Sequence, residues 1–195
     1  MFKPYRSYFL LFSILSTTFL GSCVIVLLNG HLSHGQYISP SETFKCTLPG
    51  GAFSSQLKIT DSHNNLGETV TFKLTNDLIW KVDHLIIGKH KIAALEQNLS
   101  HRGRLEQAKK NYINYFLKPH LDVVEIKWEQ YVGRKNSEVL HISTFLIWGE
   151  NEEVRDMVFA LNNGYLNVLQ HSQKFSKKLN KITSNSLDLY NSCVF

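Results

Sequence analysis

Three cysteines and nine histidines hold most of the reactive chemistry in this chain. Cys46 with His141 is the pair best suited to nucleophilic catalysis. An imidazole beside a thiol draws off its proton, and a carboxylate, Asp83 or Glu125, could orient the imidazole. Such a pair would suit a thiol-dependent cell-wall hydrolase. Against it, Phe44, Cys46 and Leu48 alternate with polar residues. That puts Cys46 on the inner side of a predicted strand, not at a helix N-terminus where a thiolate is favoured. The other chemistry open to Cys46 is oxidative. Cys46 and Cys193 stand near the two ends of the main body, and an isolated pair in an oxidising compartment tends to be bridged. The alternative is two separate buried thiols acting as small apolar residues. Neither cysteine has metal-site spacing around it. His31 and His34 read as solvated residues of a tether. His84 and His141 read as hydrogen-bonded strand residues, and Trp80, Trp128 and Trp148 as core rather than a ligand cage. The chain has no HExxH, GxSxG, Gly-rich phosphate loop or CxxC, so the expectation is no catalysis and no cofactor.

The third cysteine carries different chemistry. Lys3 and Arg6 precede an uncharged run from Tyr8 to Leu28, and Leu20-Gly21-Ser22-Cys23 lies inside it. This tetrapeptide resembles the bacterial lipobox, in which the cysteine is acylated and becomes the first residue of the mature chain. Small residues at Gly21 and Ser22 would let a peptidase approach the backbone. The competing reading is an uncleaved membrane helix, for which about 20 apolar residues suffice. The apolar Val24 to Leu28 favours that reading. A buried helix of the folded body fits less well, because the run is apolar all round. Either membrane attachment leaves the positive end in the cytoplasm and exports the body. Residues 1–28 are therefore read as signal peptide or anchor, and 29–41 as a tether. Residues 42–195 are read as one domain of the cell envelope on the periplasmic side. Val24 rather than Asp after the cysteine points to the outer membrane.

The net charge is +5. Cleavage before Cys23 removes Lys3, Arg6 and no acid, leaving +3. That is too mild for a nucleic-acid protein, and no such motif accompanies it. Lys174, Lys177, Lys178 and Lys181 would line one side of an amphipathic C-terminal helix whose other side is Phe175, Leu179 and Ile182. That lysine face is solvated, or meets an anionic membrane surface, or meets an acidic patch on an envelope partner.

Stepping along the body, residues repeat with period two and then change. Ser55-Leu57-Ile59, Val70-Phe72-Leu74 and Leu78-Trp80-Val82-His84-Ile86 predict strands joined by short turns, an antiparallel meander. Leu105, Ala108, Tyr112 and Phe116 predict one face of a helix, with Glu106 and Lys110 as an i,i+4 pair and Pro119 ending it. Val124, Ile126 and Trp128 then share one strand face. Val139 to Trp148, apolar on both faces, predicts a covered central strand. Asn162-Asn163-Gly164 predicts a hairpin with a primed turn. The sum is α+β: an antiparallel sheet of six to eight strands flanked by two helices.

Tyr37-Ile38-Ser39-Pro40 and Phe44-Lys45-Cys46-Thr47-Leu48-Pro49, with that order of elements over residues 37–190, resemble small exported gamma-proteobacterial proteins with the PsbP-like α/β sandwich. The resemblance implies a ligand or partner surface rather than catalysis, and transfers no functional residue. The functional expectation is a membrane-tethered binding or structural component of the bacterial envelope. An accessory lipoprotein of a multi-protein secretion machine is the alternative within that class.

Overall fold

A computed structural model describes residues 30–47, 57–75, 78–88, 95–134, 137–174 and 186–195. The apolar N-terminal run with Cys23 lies outside these, as do Lys177, Lys178 and Lys181. Among the described residues no helix is long and apolar enough to cross a membrane.

The described residues form an α+β fold with two antiparallel sheets. The small sheet contains β1 (His31–Ser33), β2 (Gln36–Ile38), β3 (Lys45–Cys46) and β11 (Cys193–Val194), in that spatial order. The large sheet has seven strands: β4 (Lys58–Asn64), β5 (Gly67–Thr75), β6 (Leu78–Ile86), β7 (Val123–Arg134), β8 (Ser137–Trp148), β9 (Asn151–Asn162) and β10 (Tyr165–Lys174). Its order is β4-β5-β6-β10-β9-β8-β7. Two meanders thus meet at the β6–β10 pair. Helix α1 (His101–Tyr112) carries the chain from the middle of the sheet to its far edge at β7. The second helix, α2 (Ser186–Ser192), packs on β9 and β10.

Strand alternation splits the large sheet into two buried faces. On one, Leu140, Ile142, Met157, Phe159 and Val168 meet Leu105, Ala108 and Tyr112 of α1. On the other, Val70, Phe72, Val82, Val158 and Leu169 meet Tyr37 and Phe44 from the small sheet and Leu189 and Tyr190 from α2. The strand β8 is covered on both faces as expected, but lies second from the edge rather than at the centre. At the β9–β10 hairpin, Asn163 and Gly164 both have positive φ, 48° and 82°, the primed geometry that matches strand twist.

Further expectations are corrected. The tether 29–41 is wrong for its described part: residues 31–38 form the β1–β2 hairpin, held because Tyr37 is 1% exposed in the core and its hydroxyl donates to Asp61. Trp128 does not share a face with Val124 and Ile126. A β-bulge between Ile126 and Trp128 adds one residue, so every later side chain changes face. Trp128 accordingly meets His141 edge-on at 4.7 Å, while Glu129 accepts from Lys109 on the α1 side. Phe116 is only partly buried, because a π-helical turn, Ile113–Leu117, follows α1. Its i→i+5 spacing brings Leu117, 4% exposed, under Tyr112's side of the helix. Glu106 pairs with Lys109, not Lys110, at 2.6 Å, since Lys109 is drawn inward between Glu106 and Glu129. Pro119 falls in the 3₁₀ turn Lys118–His120 that closes this segment.

Near the C-terminus, Lys174 is the last residue of β10 and so does not open a helix. The other three lysines of that expected face lie outside the described residues.

Candidate functional site

The disulfide is formed. Cys46 and Cys193 pair directly across β3 and β11, with Cα atoms 4.1 Å apart, and both are fully buried. It joins two-residue strands that backbone bonds alone would hold poorly. It also occupies the thiol that the hydrolase reading requires. The supposed partners of that thiol are engaged by other residues. Asp83 points to the α1 side of the sheet, where Tyr112 donates to it, and His141 on the opposite side bonds Asp156 at 2.7 Å. Glu125 instead accepts from Lys127 at the exposed end of β7.

Polar side chains do collect on the face beneath the small sheet. The register aligns Phe72, Trp80, His171, Asp156, Ser143 and Trp128 across five neighbouring pairs. One carboxylate oxygen of Asp156 accepts from Nε2 of His141, and the other accepts from the hydroxyl and backbone N–H of Ser186 at the start of α2. This serine bonds the acid rather than an imidazole, so the nucleophile–base contact of acyl-transfer triads is not made there. Nearby, Nδ1 of His84 donates to Asn167, and its ring stacks on Tyr165 at 3.9 Å. Glu68 accepts from the Ser41 N–H and the Thr43 hydroxyl, both at 2.9 Å. Among the described residues no group of three or more His, Cys, Asp or Glu could hold a metal ion.

Burial holds the imidazoles of His84 and His171 below the ordinary range; Asn167 and Glu68 pull back on the first, and Asp156 on the second. Both rings therefore stay neutral where their unfolded counterparts have begun to take up protons. Unfolding binds protons in that window, so stability is full above about pH 6.5 and falls on acidification below it. Each histidine contributes a slope of up to about 1.4 kcal/mol per pH unit. Glu68 acts in the same direction at lower pH. Burial alone would raise its carboxyl, but the hydrogen bonds from Ser41 and Thr43 outweigh this and hold it low. Urea unfolding of wild type between about pH 7 and pH 5.5 is expected to show this slope, and H84Q/H171Q to flatten it. Equal slopes in the two proteins would mean that other groups carry the acid sensitivity.

Sequence reasoning missed Asp156, Ser186, His171 and Arg104. Asp156 did carry a signal, as a charge at the inward phase between Val154 and Val158.

A cavity of about 710 Å³ lies where β6 ends, between the β9–β10 turn and the first turn of α1. Ile87, Leu95 and Leu161 form its apolar wall, and Gln97, His101 and Arg104 its polar wall. Its size is within the range of ordinary ligand pockets. A shallower groove on the far side of α1 is lined by Lys110, Lys118 and Ile126.

The sequence matches no family model and no curated protein. Among solved structures, the chain is similar to the solution structure of cyanobacterial PsbP (CyanoP) from Synechocystis, with 10% identity and a TM-score of 0.53. That match covers 82% of this chain and 90% of CyanoP. A Pseudomonas aeruginosa protein of unknown function matches at 8% identity over 74% of this chain and 81% of its own, with a TM-score of 0.36. At such identities a likeness speaks for architecture alone. The α+β arrangement of this chain therefore resembles the fold of PsbP.

Proposed function

We propose that this protein is an exported, membrane-tethered domain of the bacterial cell envelope that acts by binding and not by catalysis. The observation that carries this reading is the Cys46–Cys193 disulfide. Structural disulfides form and persist in oxidising compartments such as the periplasm. The sequence supplies the route there, a basic start and an apolar run, and the attachment at Cys23. A ligand-sized cavity and the lack of an activated nucleophile in the polar cluster both favour binding over turnover. Its partners are the membrane, through lipid or an uncleaved helix, and an envelope ligand or protein; nucleic acid is not among them.

The test is metabolic labelling in intact bacterial cells with a palmitate analogue. Wild type is expected to label and C23S not to. Equal labelling, or a mature chain that retains residues 1–22, would replace the lipid with a transmembrane anchor. Recovery of both cysteines as free thiols from unreduced cells would remove the support for export altogether.

A further inference from the structure

We propose that the cavity at the β9–β10 turn binds a small ligand through an oxyanion group, a carboxylate or a phosphate, held by Arg104. The inference rests on the binding reading above, and on neither export nor acylation.

Arg104 is the unusual residue there. Among the described arginine side chains, Arg102 pairs with Glu138 and Arg155 with Glu153, whereas Arg104 has no acid partner among the described residues. Its Nε is sealed from solvent and has no hydrogen-bond acceptor among the described residues. A charged group with an unmet buried donor is costly unless something completes it. Among the described residues, no acid lines the cavity that Arg104 faces. A guanidinium presents two parallel N–H donors, which match a carboxylate or phosphate edge.

The surroundings favour an anion too. His101 lies one helical turn before Arg104 and lines the same cavity. Its Nε2 donates to the Glu138 carbonyl, which fixes the ring. Helix α1 starts at this point, with the Ser100 hydroxyl accepting from the Gly103 N–H. The helix field therefore adds to the arginine charge. The opposite wall is rigid: the Asn163-Gly164 turn is tied to β6 by the Ile87 N–H donating to the Gly164 carbonyl at 2.8 Å. Ile87, Leu95 and Leu161 leave an apolar surface beside the cation. The fitting ligand thus has an oxyanion at one end and a compact apolar body.

The test uses the full chain in a nonionic detergent, ¹⁵N-labelled, titrated with benzoate, phenyl phosphate or the neutral benzyl alcohol at constant ionic strength. Saturable amide shifts at Gly88 and Gly164 are expected with at least one anion, with a dissociation constant on the order of 1 mM. The anion that binds more tightly identifies the oxyanion. Binding should weaken at least about tenfold for benzyl alcohol and for R104M, which keeps the bulk of the side chain without its charge. K110M, in the groove across α1, should bind as wild type does. Absence of saturable shifts with both anions would overturn the site. So would undiminished binding by R104M, or an equal loss in K110M, which would mean attraction to overall charge. If R104M does not fold, wild-type preference for anion over alcohol decides. None of these outcomes bears on the labelling of Cys23, so the two readings fail separately.

Discussion

Reduction of the Cys46–Cys193 disulfide is expected to lower the unfolding free energy by up to about 5 kcal/mol, the chain-entropy value for a loop this long. The bridge spans a sequence separation of 147 residues, so it closes nearly the whole body. Domains are stable by only about 5–15 kcal/mol, so the reduced protein should be marginal. The local consequence follows from strand length. The strand β11 has two residues and pairs only with β3, itself two residues long. Beyond it, Phe195 stacks near Phe44, His84 and Tyr190. Losing the crosslink should free this end first and open the core around Tyr190. The check is urea unfolding followed by tryptophan fluorescence, with and without a phosphine reductant, beside limited proteolysis of the last ten residues. Reduction leaves every other atom in place, so it isolates the crosslink better than a substitution does. Midpoints that agree within about 0.5 kcal/mol would show that backbone pairing and packing hold β11 unaided. A large loss would mean that the chain reaches full stability only after it leaves a reducing compartment, as the proposed export requires.

Much of this fold was legible because alternation and turn chemistry are local. The strands β5 and β6 follow from period-two apolar positions, β8 from a run apolar on both faces, and the β9–β10 hairpin from Asn163-Gly164, where both residues adopt φ > 0. What stayed hidden are single-residue insertions. In β7 the apolar alternation Val124, Ile126, Trp128 runs straight through the bulge, and nothing in those residue types says that the face changes at Lys127. The π turn is the same event in a helix: Phe116 and Leu117 are both apolar, and only the backbone decides which one goes under. The β1–β2 hairpin escaped notice because one residue, Tyr37, supplies its burial and six of its neighbours are polar, glycine or half-exposed. The polar groups of the sites are harder still. Ser186 meets Asp156 from 30 residues away, and Arg104 is distinguished by the acceptor it lacks, which no sequence pattern encodes.

Replacing Asp83 by alanine is expected to cost about 2–6 kcal/mol, because the buried donors of Tyr112 and Gln170 lose their acceptor at about 1–3 kcal/mol each. Asp83 is 1% exposed, accepts from Thr69 at 2.7 Å, Tyr112 at 2.6 Å and Gln170 at 2.9 Å, and pairs with the Lys81 ammonium at 3.0 Å. Gln170 also donates to the Tyr112 oxygen at 2.6 Å, which closes a triangle beneath α1. Burial pushes the Tyr112 hydroxyl far above its ordinary range, and the Asp83 charge and hydrogen bond push it further. It therefore remains a donor at any working pH. This triangle is the buried polar contact that, together with the Lys109–Glu129 and His101–Glu138 bonds, sets the position of α1 on a largely apolar sheet face. Alanine at 83 strands Tyr112, Gln170 and Lys81 without their shared acceptor. The milder Y112F keeps the ring against Phe159 and Phe116, at 5.7 and 4.9 Å, and removes the hydroxyl's two bonds, the one donated to Asp83 and the one accepted from Gln170. Its cost should be about 1–3 kcal/mol, that of leaving a buried acceptor short of a donor. Because both variants remove the same bond, D83A/Y112F should cost less than the sum by about 0.5–3 kcal/mol. Urea unfolding of the three variants measures each value, and hydrogen exchange over residues 101–112 reports whether the helix loosens. A D83A cost below about 1 kcal/mol, or strict additivity with Y112F, would show that the triangle does not place the helix.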